Sequence, residues 1–352
     1  MHFFITGHTG FKGSWLAMWL ELQGHRVSGL ALDPEPGSLF VAADVASLLT
    51  NDVRTDIRDS SAVAAALSSA SPDVVIHMAA QPLVRRSYEE PRWTFETNVL
   101  GTLNVLEAVS RTPSVVAHLV VTTDKVYRSA NQSKGYAETD QLGGDDPYSA
   151  SKAMADMLTH AWVSSFGGSP TAIARGGNVI GGGDVSQDRL VPDLKRAVDG
   201  GQSPVLRYPE AVRPWQHVLD CLNGYLALID LMVDDFSAAP DQGAWNFGPT
   251  DTEGVTVGEI ATRALRRWGS LLNWVPVTEE QQAEASRLVL DVGKARRLLG
   301  WRDLLSCDRA VDWTVDWHVA VGQGADPRGV SLDQIRAFEQ LRLNDVKRPE
   351  ES

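Results

Sequence analysis

Tyr148 and Lys152, four apart in the run Pro147-Tyr-Ser-Ala-Ser-Lys152, are the pair in this chain best suited to moving a proton. On a helix they share one face, about a turn apart. There an ammonium draws down the pKa of a phenol and makes it a usable general base near neutral pH. The same spacing arises by chance on solvated helix faces, so the pair gains weight from what precedes it. Gly7, Gly10 and Gly13 follow an apolar run at residues 2–6 and precede a helix-like segment. Glycines so placed let the backbone turn tightly and approach a pyrophosphate seated on the helix N-terminus. Thr123, Asp124 and Lys125 directly follow a second apolar run at residues 116–122. Such a strand end is where catalytic groups gather in parallel sheets.

These groups need a frame, and the first half of the chain supplies a regular one. Apolar, strand-like runs at 2–6, 26–32, 72–78, 116–122 and 171–175 alternate with helix-periodic segments at 11–22, 60–69, 93–110 and 147–166. This alternation predicts a parallel sheet covered on both faces. With right-handed crossovers it becomes an α/β, doubly wound sheet of the Rossmann type. Beyond Asn178 the texture changes. Gly181–Gly183 makes a joint, the segments shorten, and Trp215, Trp245, Trp268, Trp274 and Trp301 are scattered among them. The expectation is a dinucleotide-binding domain at 1–178, with segments near 216–248 returning to it. A smaller mixed α/β substrate-binding lobe follows at 179–330, then a C-terminal helix at 331–343 and a frayed tail to 352. No internal repeat or low-complexity tract occurs.

Composition narrows the partners. The chain has 352 residues, 43% hydrophobic and 22% charged, with a net charge of −13. That balance argues against nucleic acid or an anionic membrane as the main partner, because both need a basic face. Two cysteines, Cys221 and Cys307, suit a reducing compartment, and no metal-ligand spacing is present. The apolar start lacks a basic leader and reads as a first strand, not a signal peptide. With no run as long as a membrane span, a cytoplasmic location is expected.

Several polar residues fall where a dinucleotide and an anionic ligand would need them. Asp33, just past the second strand, is placed to take the adenosine ribose hydroxyls, and no arginine follows it at once to favour a 2′-phosphate. A turn aspartate is its alternative. Asp56 follows a short third strand and suits an adenine contact, or else serves as an acid at a helix N-terminus. Asn178 ends a strand before the glycine joint. Arg189, Arg207 and Arg213 offer guanidinium groups shaped to clamp a diphosphate. His77, inside an apolar strand, reads as a satisfied core histidine. His217 could reach the pocket but is given no role.

Taken together, the strings resemble the extended short-chain dehydrogenase/reductase family of nucleotide-sugar enzymes, over nearly the whole chain. The selective ones are Gly7-His-Thr-Gly-Phe-Lys-Gly-Ser-Trp15, Ala79-Ala-Gln-Pro-Leu-Val-Arg85, Thr122-Thr-Asp-Lys125, Gly177-Asn-Val-Ile-Gly-Gly-Gly-Asp184, Arg189-Leu-Val-Pro-Asp193 and Val212-Arg-Pro-Trp-Gln-His-Val218. Within that family the likeness is greatest to the CDP-glucose 4,6-dehydratases. The resemblance implies tightly held NAD and no net redox change. Tyr148, helped by Lys152 and Thr123, would take the proton of the sugar's carbon 4 hydroxyl as hydride leaves that carbon. Asp124 would protonate the departing carbon 6 hydroxyl, and the hydride would return to carbon 6. The related dTDP-glucose dehydratases carry a glutamate base for carbon 5 where this chain has Lys125. A lysine there either takes the proton with a depressed pKa or steadies the enolate. The resemblance also assigns Gly7, Gly10, Phe11, Gly13, Asp33, Asp56, Ile57, Ala79, Ala80, Asn98, Tyr148 and Lys152 to the cofactor. Gln81, Asn178, Arg189, Arg207 and Arg213 go to the nucleotide sugar, and no residue goes to a metal. It implies a homodimer, or a tetramer, built on a four-helix bundle from segments 93–110 and 147–166. Competing readings are a dehydratase or epimerase acting on another nucleotide sugar, an NAD-binding scaffold, and a simple alcohol dehydrogenase. An epimerase needs only the Tyr-Lys pair and leaves Asp124 without a task.

Overall fold

The computed structural model describes residues 1–129, 134–235, 243–251, 254–278 and 286–346. Its centre is a seven-stranded, wholly parallel sheet. Six strands come from the first half: β1 (His2–Thr6), β2 (Arg26–Ala31), β3 (Asn51–Arg54), β4 (Val74–His77), β5 (Ala117–Val121) and β6 (Thr171–Gly176). A seventh, Ala244–Phe247, joins beside β6 with Trp245 opposite Ala174. The order across the sheet is Ala244–Phe247, β6, β5, β4, β1, β2, β3. The chain therefore runs outward one way from β1 to β3 and the other way from β4 onward. The switch falls between β1 and β4, whose carboxyl ends open the crevice where ligands bind in such sheets.

Burial explains the composition of the strands. Every residue of β1, β4 and β5 is buried, as expected of a parallel sheet covered on both faces. The helix α1 (Phe11–Leu22) buries Trp15, Leu16, Met18, Trp19 and Leu20 against one face. On the other face the helices Ser60–Ala70 and Gly101–Ser110 pack around Val63, Leu67, Val105 and Val109. Polar groups inside the sheet are mostly paired. His77 contacts Thr6 Oγ1 at 2.7 Å and Thr102 Oγ1 at 3.0 Å through its two ring nitrogens, as a satisfied core histidine should.

The later chain contributes small separate pieces. Gln216–His217 pairs with Val179–Ile180, and Val212–Arg213 with Val255–Thr256. His217 is fully buried, edge-on to Trp15 and Trp313, and burial pushes its pKa down to about 3. It is a neutral core residue. The last helix, Pro327–Val346, returns to α1: Trp19 Nε1 donates to Glu339 and stacks edge-on to Phe338. The expected frayed tail falls largely at 347–352, outside the described residues.

Two elements differ from the sequence reading. Segment 93–110 is not one continuous α-helix. A π-turn at Glu96–Leu100 separates Pro91–Phe95 from Gly101–Ser110. The wide turn carries Asn98, whose side chain is bonded to the Gln81 backbone and to Ser151. Single π-turns of this kind commonly sit at functional sites. The last helix begins at Pro327 and not at 331. Proline suits a first helical position, and the Asp326 carboxylate accepts from the Gly329 amide at 2.9 Å.

Candidate active site

The glycine turn joins β1 to α1 with close backbone approaches, and Ser14 Oγ donates to Gly10 O at 2.8 Å. Gly7 has φ of +80°, and a Cβ there would lie 2.8 Å from the Ala79 nitrogen at the end of β4. A Cβ on Gly13 would stand 2.4 Å from Gly7 O and 2.6 Å from His8 Cα. Gly10 precedes α1 without a side-chain cap, which leaves the helix N-terminus suited to an anion. These features fit a dinucleotide pyrophosphate. Gly13→Ala is therefore expected to destabilise the fold by about 1–3 kcal/mol, as overpacking against backbone does. It should also weaken NAD binding, read together by thermal denaturation and dinucleotide titration.

Beside this turn lie the other cofactor candidates. Thr6 Oγ1 accepts from the Met78 and Ala79 amides, both at 3.2 Å, and so fixes the Ala79–Ala80 backbone. Asp33 is exposed, two residues past β2. Arg54, from β3, also reaches that loop, donating to Leu32 O at 3.5 Å while Asp52 holds its other nitrogen at 2.6 Å. Asp56 is held by Arg58 at 2.8 Å, and Asp59 caps the following helix. Ile57 is buried beneath Gly101, and its carbonyl accepts from Asn104. Asn98 spends its side chain on Gln81 and Ser151. Gln81 is itself committed to Leu83 and Thr94. The pair thus locks the loop after β4.

The candidate proton-handling groups come together at the carboxyl end of β5. The helix Pro147–Phe166 starts on Asp146, whose carboxylate accepts from the Ser149 amide at 2.9 Å, with Pro147 at the first position. This start sets Tyr148 and Lys152, both buried, against the end of β5. After β5 the chain makes a tight 3₁₀ turn, Asp124–Val126. Thr123 Oγ1 accepts from the Lys125 amide at 3.3 Å and donates to Asp124 Oδ1 at 2.9 Å. Asp124 Oδ2 is buried with no hydrogen-bond partner among the described residues. A buried carboxyl oxygen with no bond is costly and marks where a reacting group can dock.

Electrostatics tie this cluster to the arginines. Burial pushes the Asp124 carboxyl up, against the opposing pulls of Lys125, Thr123, Arg213 and Arg189. The Tyr148 phenol is likewise pushed up by burial, with Arg189 and the Thr123 hydroxyl drawing it back. Lys152 comes down to about 7, from burial first and then the Lys12 charge. The sequence suggested that Lys152 would tune the phenol directly. Its Nζ instead donates to Val121 O at 2.8 Å, and Arg189 is the first cation acting on Tyr148.

The substrate candidates are less uniform. Arg189 donates to Pro82 O at 3.0 Å and bridges the lobe to the loop after β4. Arg213 is buried beside Val212 O. Arg207 lies off to one side, on Asp188. Asn178 is half-buried, and its carbonyl accepts from the Gln216 amide. One residue given no role from sequence stands among them. Lys12, in the first turn of α1, donates to the Tyr225 hydroxyl at 3.2 Å and shares the field of Asp124, Arg189 and Cys221. Its sequence signal was its place in the selective string Gly7-His-Thr-Gly-Phe-Lys-Gly-Ser-Trp15.

The comparisons with known proteins bear on this geometry. Residues 3–246 match the model of the NAD dependent epimerase/dehydratase family. The chain belongs to that family. Its cofactor is accordingly NAD. Among curated members of the family, the CDP-glucose 4,6-dehydratase of Salmonella typhimurium is 40% identical over 332 residues, covering 92% of each chain. The dTDP-glucose 4,6-dehydratase DesIV of Streptomyces venezuelae, solved with NAD and TYD bound, superposes with a TM-score of 0.78. It is 26% identical and covers 93% of this chain and 100% of its own. The UDP-glucose 4-epimerase of Thermotoga maritima, solved with UDP-glucose, shares the fold at a TM-score of 0.80 and 22% identity, covering 91% of this chain and 99% of its own. Among the described residues there is no cluster of potential metal ligands. No described helix is long and apolar enough to cross a membrane.

Proposed function

We propose that the protein is a CDP-glucose 4,6-dehydratase, an NAD-dependent hydro-lyase forming CDP-4-keto-6-deoxyglucose. The observation that carries this reading is the unpartnered Asp124 Oδ2 beside Tyr148. A buried acid next to the Tyr-Lys pair serves elimination of water and is superfluous for epimerisation. The 40% identity to a relative of that activity supports the choice of CDP-glucose.

When bound, the nicotinamide supplies the hydride acceptor and donor. Tyr148 takes the proton of the carbon 4 hydroxyl, with Thr123 hydrogen-bonding the same oxygen. The resulting ketone acidifies carbon 5. Lys125, in the same turn as Asp124, takes the carbon 5 proton on its amine as the enolate forms and gives it back to carbon 5 at the end of the cycle. Asp124, whose pKa burial raises, gives its proton to the departing carbon 6 hydroxyl. Arg189 and Arg213 take the diphosphate, aided by Asn178 and Arg207. The glycine turn, Asp33 and the Ala79–Ala80 backbone hold the dinucleotide. The test is incubation with CDP-, dTDP-, UDP- and GDP-glucose, with and without added NAD, read by mass spectrometry. Loss of one water from CDP-glucose without net reduced cofactor is expected. Water loss from another nucleotide-glucose would move the base assignment, and no loss from any would remove the dehydratase reading.

The same reading includes a cytoplasmic homodimer, in keeping with the free thiols Cys221 and Cys307. Leu100, Met154, Met157 and Phe166 are exposed on the helices that would form the bundle, with Met157 at 58%. Such a patch on a soluble chain marks an interaction surface. Met157→Glu should convert a dimer to a monomer in light scattering, and an unchanged mass would place the interface elsewhere.

A further inference from the structure

We infer that the buried Arg175–Asp156 pair is a positioning clamp, holding both flanks of the Thr123-Asp124-Lys125 turn against the helix that carries Tyr148 and Lys152. Asp156 lies four residues beyond Lys152 and eight beyond Tyr148, on the same helix face. Its Oδ1 accepts from Arg175 Nη2 at 2.7 Å, and its Oδ2 from Arg175 Nε at 2.9 Å. That second oxygen also accepts from Thr122 Oγ1 at 3.1 Å, one residue before the turn. On the opposite flank, Arg175 Nη1 donates to the Tyr127 hydroxyl at 2.8 Å and to Glu138 O at 3.1 Å. The Tyr127 hydroxyl in turn donates to Asn246 Oδ1 at 2.6 Å. Asn246 Nδ2 ties the carbonyls of Tyr136 and Asp291. All five side chains, Thr122, Tyr127, Asp156, Arg175 and Asn246, are buried.

One guanidinium on β6 thus reaches the catalytic helix with one edge and the far side of the catalytic turn with the other. A bidentate fork fixes direction as well as distance. A buried ion pair is a weak source of net stability, because desolvation offsets its attraction. Its effect here is geometric. It sets Asp124 and Thr123 relative to Tyr148, where a displacement of about 1 Å can cost on the order of 100-fold in rate.

The inference rests on the catalytic roles proposed for the turn, and the test separates the two. Tyr127→Phe and Thr122→Val each delete one hydroxyl and leave the ion pair itself intact, so both variants and their double should fold with NAD bound. For the double variant kcat is expected to fall about 10- to 100-fold, with KM nearly unchanged. The amides of residues 123–127 should exchange hydrogen faster in mass-spectrometric exchange. A folded double variant with kcat within about twofold of the parent and unchanged exchange would overturn the clamp. A parent that dehydrates no nucleotide-glucose would refute the functional reading by itself. The exchange of the 123–127 amides would then decide the clamp alone.

Discussion

Tyr148→Phe is expected to lower turnover by about 100- to 10,000-fold, the range that loss of a general base produces, while the protein keeps its NAD. The ring remains, so the packing of the helix start against β5 is preserved. Lys152 keeps its bond to Val121 O, since that bond does not pass through the phenol. What disappears is the phenol oxygen beside Thr123, the proposed acceptor of the carbon 4 proton. Oxidation at carbon 4 is the first chemical step, so no reduced nicotinamide should form in a single turnover and no water should be lost. The two readouts must fall together. A variant that still reduces its cofactor at the parental rate would remove Tyr148 from the base role. The assignment would then pass to Thr123, whose hydroxyl lies beside Asp124 Oδ1.

Much of this frame was legible because local chemistry and tertiary structure agree. Phe11–Leu22 and Pro147–Phe166 begin and end where the sequence indicates. Gly10 and the Asp146–Pro147 start mark their N-termini, and Gly167 follows the second as a C-terminal stop. The π-turn at Glu96–Leu100 was not legible. One extra residue per turn leaves no compositional trace, and its partner Gln81 lies 17 residues away. The last helix begins at Pro327, four residues before the expected start, where Asp326 and Pro327 form a good N-terminus. At the candidate site, spacing and strand position had already singled out Tyr148, Lys152, Thr123 and Asp124, which the structure brings together. Arg175 and Asp156 were not singled out, since an arginine within a strand-like run and an aspartate within a helix acquire meaning only when β6 and the helix pack together. Lys152 shows the limit of spacing arguments: i, i+4 places two groups on one face, but a carbonyl of the neighbouring strand claimed the ammonium.

Asp124→Asn should separate the two halves of the reaction. Asparagine keeps the shape of the side chain and can still accept from Thr123, so Tyr148 is undisturbed and carbon 4 oxidation proceeds. It has no proton to give the departing carbon 6 hydroxyl. Water loss should therefore fall about 100- to 10,000-fold, while reduced nicotinamide forms and persists. The substitution also carries a stability signature of opposite sign. Burial raises the folded-state pKa of Asp124 above its unfolded value. Such a group supports the fold below the unfolded pKa, and that support is lost as pH rises through the folded one. At neutral pH the parent therefore carries a carboxyl whose ionisation opposes folding, and asparagine does not. The thermal midpoint of Asp124→Asn is expected to exceed the parent's at neutral pH and to converge with it in acid, a trade of stability for activity common at catalytic sites. Two outcomes would sink the assignment. One is a first-step defect like that of Tyr148→Phe, which would make Asp124 part of the base machinery. The other is full dehydration by the variant, which would hand proton delivery to another group in the crevice.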